Sequence, residues 1–389
     1  MLLNRIRKVT AVVMSVAMSA AMLASLTACS SKEKIEKPDK LGDGLVWEKS
    51  MELSYATEFS VDYYVKEGTE AEYKLFSIVG DAQYLLIPEG EKAPDELPEG
   101  ITPISSPKAI YLVATQTMDM FNALEAMDQV KYSPIKEKDW YIPEAAQRMK
   151  SGQLKYAGKY SAPDYEMIVS GGCDLAIENT MIYHSPEVKE QLESFDIPVM
   201  VDHSSYEKHP FGRMEWVKLY GALMNKEEKA LGIYEEQIAK FKNLKAPKET
   251  PKVAFFYIAA NGSVKIRKAN DYIPKMIQMA GGEYILDDAK EQDENKSSTV
   301  NITMEEFYSI ASEADFIIYN STVEGELQTL EELKGKHKLI ANLKAVKNGN
   351  VFCTSQNVYQ STMEIGTIIE DINKMLSYNE DMKYIFKLK

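Results

Sequence analysis

Cysteine and histidine are scarce in this sequence of 389 residues, which contains three cysteines and four histidines. After Cys29, the remaining thiols are Cys173 and Cys353, which lie far apart in the chain, each beside an apolar segment. No Cys-x-x-Cys motif is present. The pattern therefore favours two buried free thiols over a disulfide framework.

The sequence also lacks the short motifs that mark common catalytic sites. It contains no Gly-x-Ser-x-Gly, no phosphate-binding Gly-x-x-x-x-Gly-Lys-Ser/Thr and no His-Glu-x-x-His. Carboxylates are abundant, but no spacing pairs two of them as an acid and a base. These absences argue against an enzyme. An extracellular hydrolase with an active site assembled from distant residues is the remaining catalytic alternative, and turnover by the pure protein would reveal it.

Basic residues are outnumbered by acidic ones: the chain has 45 Lys and Arg but 59 Asp and Glu, which gives a net charge of −14. Residues 1–28 contain three basic and no acidic side chains, so their removal would change the net charge to −17. Nucleic-acid binding needs clustered cations that displace counterions, and this balance argues against it.

Glycine and proline are also few, at 20 and 15 residues, while 45% of the chain is hydrophobic. This is the composition of an ordinary globular protein. Because 389 residues exceed what one compact core usually needs, two domains are expected.

The N-terminus has the order of a secretory signal. Arg5, Arg7 and Lys8 precede an uncharged run rich in Ala, Met, Val and Leu, and small residues stand just before Cys29. The run is nearly long enough for a transmembrane helix, but its N-terminal position and flanks favour a cleaved signal peptide. Leu-Thr-Ala-Cys resembles a bacterial lipobox. It implies diacylation of Cys29 and attachment to the outer face of the cytoplasmic membrane.

The first segment after the signal is charged and then β-rich. Residues 30–40 carry a single apolar side chain, Ile35, and read as a flexible tether. Aromatic and β-branched residues predict strands at Met51–Tyr55, Phe59–Tyr64 and Tyr84–Ile87. The proline-rich stretch from residue 88 to residue 107 is predicted to be a connector.

From Ala109 onward, apolar strand-like runs alternate with helical patterns, which predicts an α/β fold. We expect two Rossmann-like βα lobes with separate cores, joined by a single long connector helix, with the β-rich extension packed on the first lobe. The predicted boundaries are signal peptide 1–28, tether 29–44, extension 45–106, first lobe 107–212, connector 213–246 and second lobe 247–389.

One unit recurs once in each lobe: a helix with a carboxylate near its start, then Asp, then an apolar strand. It spans residues 163–177 and again 302–318. With the predicted connector, it resembles the helical-backbone class (class III) of periplasmic binding proteins for siderophores, haem and vitamin B12, from about residue 107 to the end. The segments 158–166 (GKYSAPDYE) and 204–216 (SSYEKHPFGRMEW) resemble a lipoprotein subgroup of iron-complex ABC transporter receptors.

The resemblance implies a monomeric receptor that hands a small ligand to the permease dimer of an ABC importer. The ligand would be an iron complex (siderophore or haem) or a corrinoid, with no cofactor held by the protein beyond its lipid. One glutamate of each lobe docks into basic pockets of the permease. By position, these are Glu166 and either Glu305 or Glu306.

Ligands of open α/β sheets bind at the carboxyl ends of the strands. The loops predicted at those ends supply the expected ligand-binding residues, which are Thr115, Gln116, Thr117, Glu178, Met181, Tyr183, His184, His203, Tyr206, Asn261, Asn320, Ser321, Ser355, Gln356 and Tyr359. Arg267 is a further candidate, as a cation for an anionic ligand.

Three of the four histidines, His184, His203 and His209, lie within 26 residues and are candidate metal ligands, although their spacing matches no common metal motif. Arg213 and Glu215 are two residues apart and point to different sides of a helix. A structural network is favoured there, with a ligand clamp by Arg213 as the alternative.

Two functional alternatives therefore stay open: a lipoprotein that binds a metal ion directly, and a receptor that serves a membrane sensor. A single helical connector also resists bending, so modest lobe closure is expected.

Overall fold

The computed structural model describes residues 37–286, 298–379 and 381–389. The predicted signal peptide and the predicted lipidation residue Cys29 lie outside the described residues. Asp39–Lys389 form one compact unit. Within the described part of the chain, no helix is long and apolar enough to cross a bilayer.

The N-terminal extension is a six-stranded sheet in the order β1 to β6. Neighbouring strands are antiparallel except β5 and β6, which are parallel. Alternation along a strand gives the sheet two buried faces, since Phe59 and Val61 join the main core while Tyr64 joins a small separate cluster. The strands are β1 (Lys40–Leu41), β2 (Leu45–Ser50), β3 (Phe59–Lys66), β4 (Glu72–Ile78), β5 (Gln83–Ile87) and β6 (Ile101–Ser105).

Two expectations about the extension are corrected. The predicted strand Met51–Tyr55 is an irregular segment between β2 and β3, in which the N–H groups of Ser54 and Tyr55 donate to the Glu215 side chain instead of to a neighbouring strand. The predicted connector 88–107 contains β6, which completes the sheet beside β5.

The first lobe has a five-stranded parallel sheet in the order β13-β12-β7-β8-β9. Its elements are β7 (Ile110–Leu112), α1 (Thr115–Ala123), β8 (Val130–Ser133), α2 (Pro143–Ser151), β9 (Lys155–Tyr156), β10 (Gly158–Lys159), β11 (Ala162–Pro163), α3 (Tyr165–Ser170), β12 (Leu175–Asn179), α4 (Pro186–Glu193) and β13 (Val199–Asp202). Strands β10 and β11 form a short hairpin just before α3.

The connector is two helices, α5 (Pro210–Leu223) and α6 (Glu227–Lys242), which corrects the expectation of a single long helix. Asn225 adopts a left-handed backbone conformation with φ 53°, which ends the first helix. The rings of Phe211 and Phe241 lie 5.4 Å apart, so the start of α5 meets the end of α6 and the pair forms an antiparallel hairpin.

The second lobe is built on a mixed sheet in which β16, β14, β18 and β19 are parallel and β15, β17 and β20 are antiparallel to their neighbours. Its elements are β14 (Lys252–Ile258), β15 (Val264–Arg267), α7 (Tyr272–Met279), β16 (Glu283–Tyr284), β17 (Thr299–Ile302), α8 (Met304–Ala311), β18 (Phe316–Tyr319), α9 (Ser321–Glu324), α10 (Leu330–Lys336), α11 (Lys344–Lys347), β19 (Val351–Thr354), α12 (Ile365–Leu376) and β20 (Ile385–Lys387).

The lobes have separate sheets but share one apolar core, which corrects the expectation of separate cores. A continuous cluster runs from the extension and first lobe through α5 and α6 into the second lobe. Every residue of α5 except Arg213 is buried. A helix that is buried on nearly all sides is surrounded by protein, so α5 lies at the centre of the molecule and is not an exposed rod.

The repeated helix–Asp–strand unit is present in both lobes. Asp174 precedes β12 and accepts hydrogen bonds from the N–H groups of Lys108 (2.7 Å) and Ala109 (3.0 Å) at the start of β7. Asp315 precedes β18 and accepts a bond of 2.9 Å from the N–H of Lys252 at the start of β14. In each lobe the aspartate therefore ties the start of its own strand to the start of a parallel neighbour.

Candidate functional site

A small cavity lies between the lobes, with a volume of about 30 Å³. It brings together three residues that the sequence predicted for ligand binding, Gln116, Arg213 and Tyr359. The remaining lining residues are Tyr272, Met276, Val358, Ser361, Thr362, Ile365 and Ile368. This cavity lies between α1 and α5 on one side and α7 and α12 on the other.

Two arginines converge on Tyr272 at the edge of this cavity. The Arg213 guanidinium carbon lies 3.9 Å from the centre of the Tyr272 ring, and that of Arg267 lies 5.9 Å from it. Arg213 donates to the carbonyl oxygens of Ser205 (2.6 Å) and Glu207 (3.2 Å). A guanidinium has five N–H donors, so Arg213 keeps donors available for an anion.

Tyr272 was missed by sequence analysis. It begins α7, directly after the N-cap Asp271, whose carboxylate lies 3.7 Å from the Arg267 guanidinium. The available signal was an aromatic residue at the start of a helix, five residues after Arg267 at the end of β15. The approach of Arg213 to Tyr272 depends on tertiary structure alone.

Several predicted ligand contacts instead support their own turns. Asn320 is the N-cap of α9, and the buried Ser321 hydroxyl lies 3.1 Å from that of Thr354. Asn261 accepts from the N–H and hydroxyl of Ser263. Ser355 donates to Asn357 at 2.7 Å. We assign these side chains to loop support, because polar residues that follow a strand commonly cap the adjacent turn.

Burial removes two more candidates from the cleft. Thr117 is fully buried and its hydroxyl donates to Asp202 at 2.5 Å. Glu178 is also fully buried, on the β12 face that carries Ala176 and packs with the second core cluster around Tyr111. The expectation of ligand contact at these positions is therefore corrected, since neither side chain reaches solvent.

Thr115 and Gln356 flank the cleft loops. Thr115 is the half-buried first residue of α1. The N–H of Gln356 donates to Glu326 at 2.7 Å. Met181 and Tyr183 are exposed on the turn after β12. All four stay predictions as ligand contacts.

The structure does not assemble the predicted histidine metal site. His203 is buried, its Nε2 lies 2.5 Å from the Tyr183 hydroxyl, and its ring centre is 5.0 Å from that of Tyr206. His209 caps α5 and stacks on Tyr55 at 4.3 Å. His184 is exposed. Among the described residues, no three His, Cys, Asp or Glu side chains form a group suited to a metal ion.

The loop between β19 and α12 closes one end of the cleft. Gln360 is almost completely buried, accepts from the N–H of Tyr141 (2.8 Å) and donates to the carbonyl of Asp139 (2.9 Å). The carboxylate of Asp119 accepts from the N–H of Met363 at 2.8 Å, and burial raises the pKa of Asp119 to about 6. These bonds join the two lobes directly.

The buried carboxylates around α5 hold the extension. Glu215 accepts from the N–H groups of Ser54 (2.8 Å), Tyr55 (2.7 Å) and Ala56 (2.8 Å). Glu207 accepts from the N–H of Thr57 at 2.7 Å. The structural network expected around Arg213 and Glu215 is present, although Glu215 bridges to the extension while Arg213 bridges the lobes.

Glu166 and Glu305 occupy equivalent positions in the two lobes. Each is the exposed second residue of its helix, α3 or α8, directly after an N-capped start. Neither carboxylate forms a hydrogen bond or ion pair with any residue that the structure describes. Glu306, by contrast, closes a capping box with Thr303. The corresponding position in α3 is Met167, so Glu305 is the structural counterpart of Glu166.

Comparison with known proteins agrees with this architecture. A family model described as periplasmic binding protein matches residues 112–358, which is more than half of the chain. The chain therefore belongs to the periplasmic binding protein family. By fold it is a class III member, of the type that includes haem-binding and siderophore-binding proteins.

Particular relatives are similar over most of the chain. An uncharacterised lipoprotein of Methanocaldococcus jannaschii is 24% identical, over 91% of this chain and 89% of its own length. The periplasmic haem-binding protein of Vibrio cholerae is 16% identical, with a TM-score of 0.56 over 67% of this chain and 97% of its own. An ABC transporter substrate-binding protein of Listeria monocytogenes is 18% identical, with a TM-score of 0.52 over 70% and 100%.

Membership of this family defines the general role. Periplasmic binding proteins are extracytoplasmic, non-enzymatic components of ABC transporters that bind a substrate and present it to a permease. The chain is therefore a substrate-binding protein and not an enzyme.

Proposed function

We propose that this protein is a lipid-anchored receptor, held to the membrane through Cys29, that delivers an anionic iron complex or corrinoid to an ABC importer. The observation that carries the proposal is the pair Glu166 and Glu305. One exposed, unpaired carboxylate stands at the same helical position in each lobe, as docking onto a two-fold permease requires.

The structure favours Glu305 over Glu306 as the second docking residue. Glu306 already accepts from the N–H of Thr303 at 2.8 Å and from its hydroxyl at 3.0 Å. A carboxylate committed to a capping box stabilises its helix and has less freedom to meet an arginine pocket.

Charge reversal tests docking. Glu166→Lys or Glu305→Lys is expected to lower ligand uptake by cells at least about tenfold, while ligand affinity of the pure protein stays unchanged. Glu331→Lys, also at the second position of a helix in the second lobe, is the matched control and should keep normal uptake. Loss of uptake with unchanged ligand affinity would favour the importer over the sensor alternative, whereas unchanged uptake in both docking variants would refute the docking role of these carboxylates.

The inter-lobe cavity supports an anionic ligand. Arg213 on α5 and Arg267 on β15 both lie beside the Tyr272 ring, and a planar aromatic surface beside two cations suits a ligand with both aromatic and anionic groups. Native mass spectrometry with ferric siderophores, haem, corrinoids and divalent metals would identify the ligand class.

Arg213→Ala is expected to weaken binding of anionic members of that panel by about tenfold, or roughly 1.4 kcal/mol. Neutral ligands should change much less, because their contacts are with the apolar lining. Arg213→Lys keeps the charge but loses the planar stacking on Tyr272, so it should give an intermediate loss. Equal losses for neutral and anionic ligands would show that Arg213 is structural only.

Further closure of the lobes is expected to be small, whereas the cavity of about 30 Å³ must widen to admit an iron complex or corrinoid. The shared core through α5 and the Gln360 bonds between the lobes both resist separation. Scattering profiles recorded with and without ligand would contradict this expectation if they showed a large compaction.

A further inference from the structure

The first lobe carries a basic surface in an otherwise acidic chain. Residues 131–160 contain seven basic and three acidic side chains, a net charge of +4, whereas the whole chain has a net charge of −14. Arg148 is neutralised by Asp128 and Glu144. The lysines of this segment form no ion pair with any described residue.

Four of these lysines are exposed and lie near one exposed tyrosine, Tyr156, along the chain. Lys136 lies 5.4 Å from the ring centre of Tyr156, which is 37% exposed. Lys138, Lys155 and Lys159 are all exposed and each lies within four residues of Lys136 or Tyr156 along the chain. We name these four lysines and Tyr156 the basic face. Exposed Glu137 and Asp139 lie beside it and reduce its charge without cancelling it.

The basic face borders the helix that carries Glu166. The N–H of Ala157 donates to Ser133 of β8 at 2.9 Å, and the carbonyl of Ala157 accepts from the N–H of Asp164 at 2.9 Å. Asp164 is the N-cap of α3, so Tyr156 stands next to the start of that helix. The backbone that carries Tyr156 therefore adjoins the start of the helix that carries Glu166.

We propose that the basic face contacts anionic phospholipid headgroups of the membrane beside the permease. The proposal rests on the membrane attachment and docking described under the proposed function. A permease surface that offers cations to Glu166 would repel adjacent lysines, whereas phosphate headgroups attract them. A tyrosine among lysines also suits the membrane interface, where its ring and hydroxyl meet apolar and polar surroundings.

The contact gives the tethered receptor a preferred orientation. A lipid on Cys29 holds the chain near the surface but does not orient it, and the remaining negative charge is repelled by anionic lipid. Attraction at one face of the first lobe turns Glu166 toward the membrane plane, where the permease lies.

Vesicle binding by the chain from Ser30 to Lys389 tests the proposal without the lipid anchor. All sheets described above lie within Asp39–Lys389, so this chain retains the fold. At low salt it should bind vesicles containing phosphatidylglycerol and should not bind pure phosphatidylcholine. The quadruple variant K136E/K138E/K155E/K159E should lose about tenfold or more of this binding. The same lysines changed to Gln give a milder variant, with circular dichroism as the check on folding.

The matched control reverses four exposed lysines elsewhere, K208E/K248E/K338E/K347E, which gives the same total charge. It should keep most of the vesicle binding. Equal losses in both quadruple variants would overturn the proposal, as would absence of wild-type binding to phosphatidylglycerol. Loss of permease binding in detergent, with unchanged vesicle binding, would assign the face to the permease instead.

Failure of the docking hypothesis gives a different result. If docking fails, Glu166→Lys leaves uptake unchanged and vesicle binding persists, whereas if the basic-face proposal fails, Glu166→Lys still lowers uptake and the basic-face variant keeps its vesicle binding.

Discussion

Replacing Glu215 with alanine is expected to lower the free energy of unfolding by about 3–5 kcal/mol. Glu215 is fully buried in α5 and accepts three backbone N–H bonds from residues 54–56 and one bond of 2.8 Å from Lys218. Its removal leaves the partly buried Lys218 ammonium without its carboxylate and releases the loop of the extension. Uncompensated buried charge and unsatisfied donors both oppose folding.

Chemical denaturation of Glu215→Ala measures this loss, and amide hydrogen exchange locates it. Exchange should accelerate most at Ser54, Tyr55 and Ala56, because these three amides lose their acceptor. Glu235→Ala, which removes an exposed carboxylate from α6, is the control and should change stability by less than about 1 kcal/mol. A similarly small change in the Glu215 variant would show that the apolar core alone holds the extension.

Replacing Glu178 with glutamine is expected to stabilise the protein by roughly 3 kcal/mol at pH 7. Both Glu178 carboxyl oxygens are buried without a hydrogen-bond partner. Burial raises the pKa of Glu178 from 4.5 to about 8, and the nearby Asn179 N–H opposes this shift only in part. The unfolded chain therefore releases a proton that the folded chain keeps.

The sign of the pH dependence follows from that difference. Below pH 4.5 Glu178 is protonated in both the folded and the unfolded chain, so it does not lower the free energy of unfolding. As the pH rises from 4.5 to about 8, Glu178 lowers the free energy of unfolding by an increasing amount. The gap in unfolding free energy between Glu178→Gln and the wild type should widen over this range and then level off. Glu190→Gln controls for loss of one carboxylate from the surface of the same lobe. A gap that does not change with pH would show that Glu178 is ionised in the folded state.

The strands of the lobes were predictable because each is a short apolar run bounded by polar turns. The apolar run Phe316–Tyr319 predicts a strand that has these same bounds, and the apolar run 197–201 predicts a strand that the structure has at Val199–Asp202. The extension was less predictable. Met51–Tyr55 has aromatic and apolar residues typical of a strand. The buried Glu215 carboxylate on α5 accepts hydrogen bonds from the N–H groups of Ser54 and Tyr55, and this tertiary contact overrides the local strand propensity.

The prediction of a single connector helix was wrong because the local sequence pattern does not mark the break between the two helices. The helical pattern continues from α5 to α6, and Asn225 gives little warning that the chain reverses direction there. Gly221 allows the reversal, since a Cβ at this position would lie 2.5 Å from the Cβ of Ala230 on the second helix. The close approach of the two helices is a property of the folded pair, and the pattern of either helix alone does not contain it.

The candidate site residues show the same difference between what local sequence predicts and what the folded structure decides. Residue type correctly placed polar side chains at the ends of strands, but it did not show whether they point into the cleft or into a turn. Gln116, Arg213 and Tyr359 line the cavity, whereas Thr117 and Glu178 are buried. Gln116 and Thr117 are neighbours at the start of helix α1, yet Gln116 lines the cavity and Thr117 is buried, because successive residues of a helix point in different directions.

By itself, the sequence determined the family, the α/β class, the repeated helix–Asp–strand unit and the acidic residue at the start of each repeated helix, because these depend on local pattern and spacing. The tertiary structure alone decided that α5 and α6 fold back on each other, that the lobes share a core, that two arginines meet at Tyr272, and that Glu305 and not Glu306 matches Glu166. Those outcomes depend on which surfaces meet across long separations in the chain, and packing and burial fix them only after the whole molecule has folded.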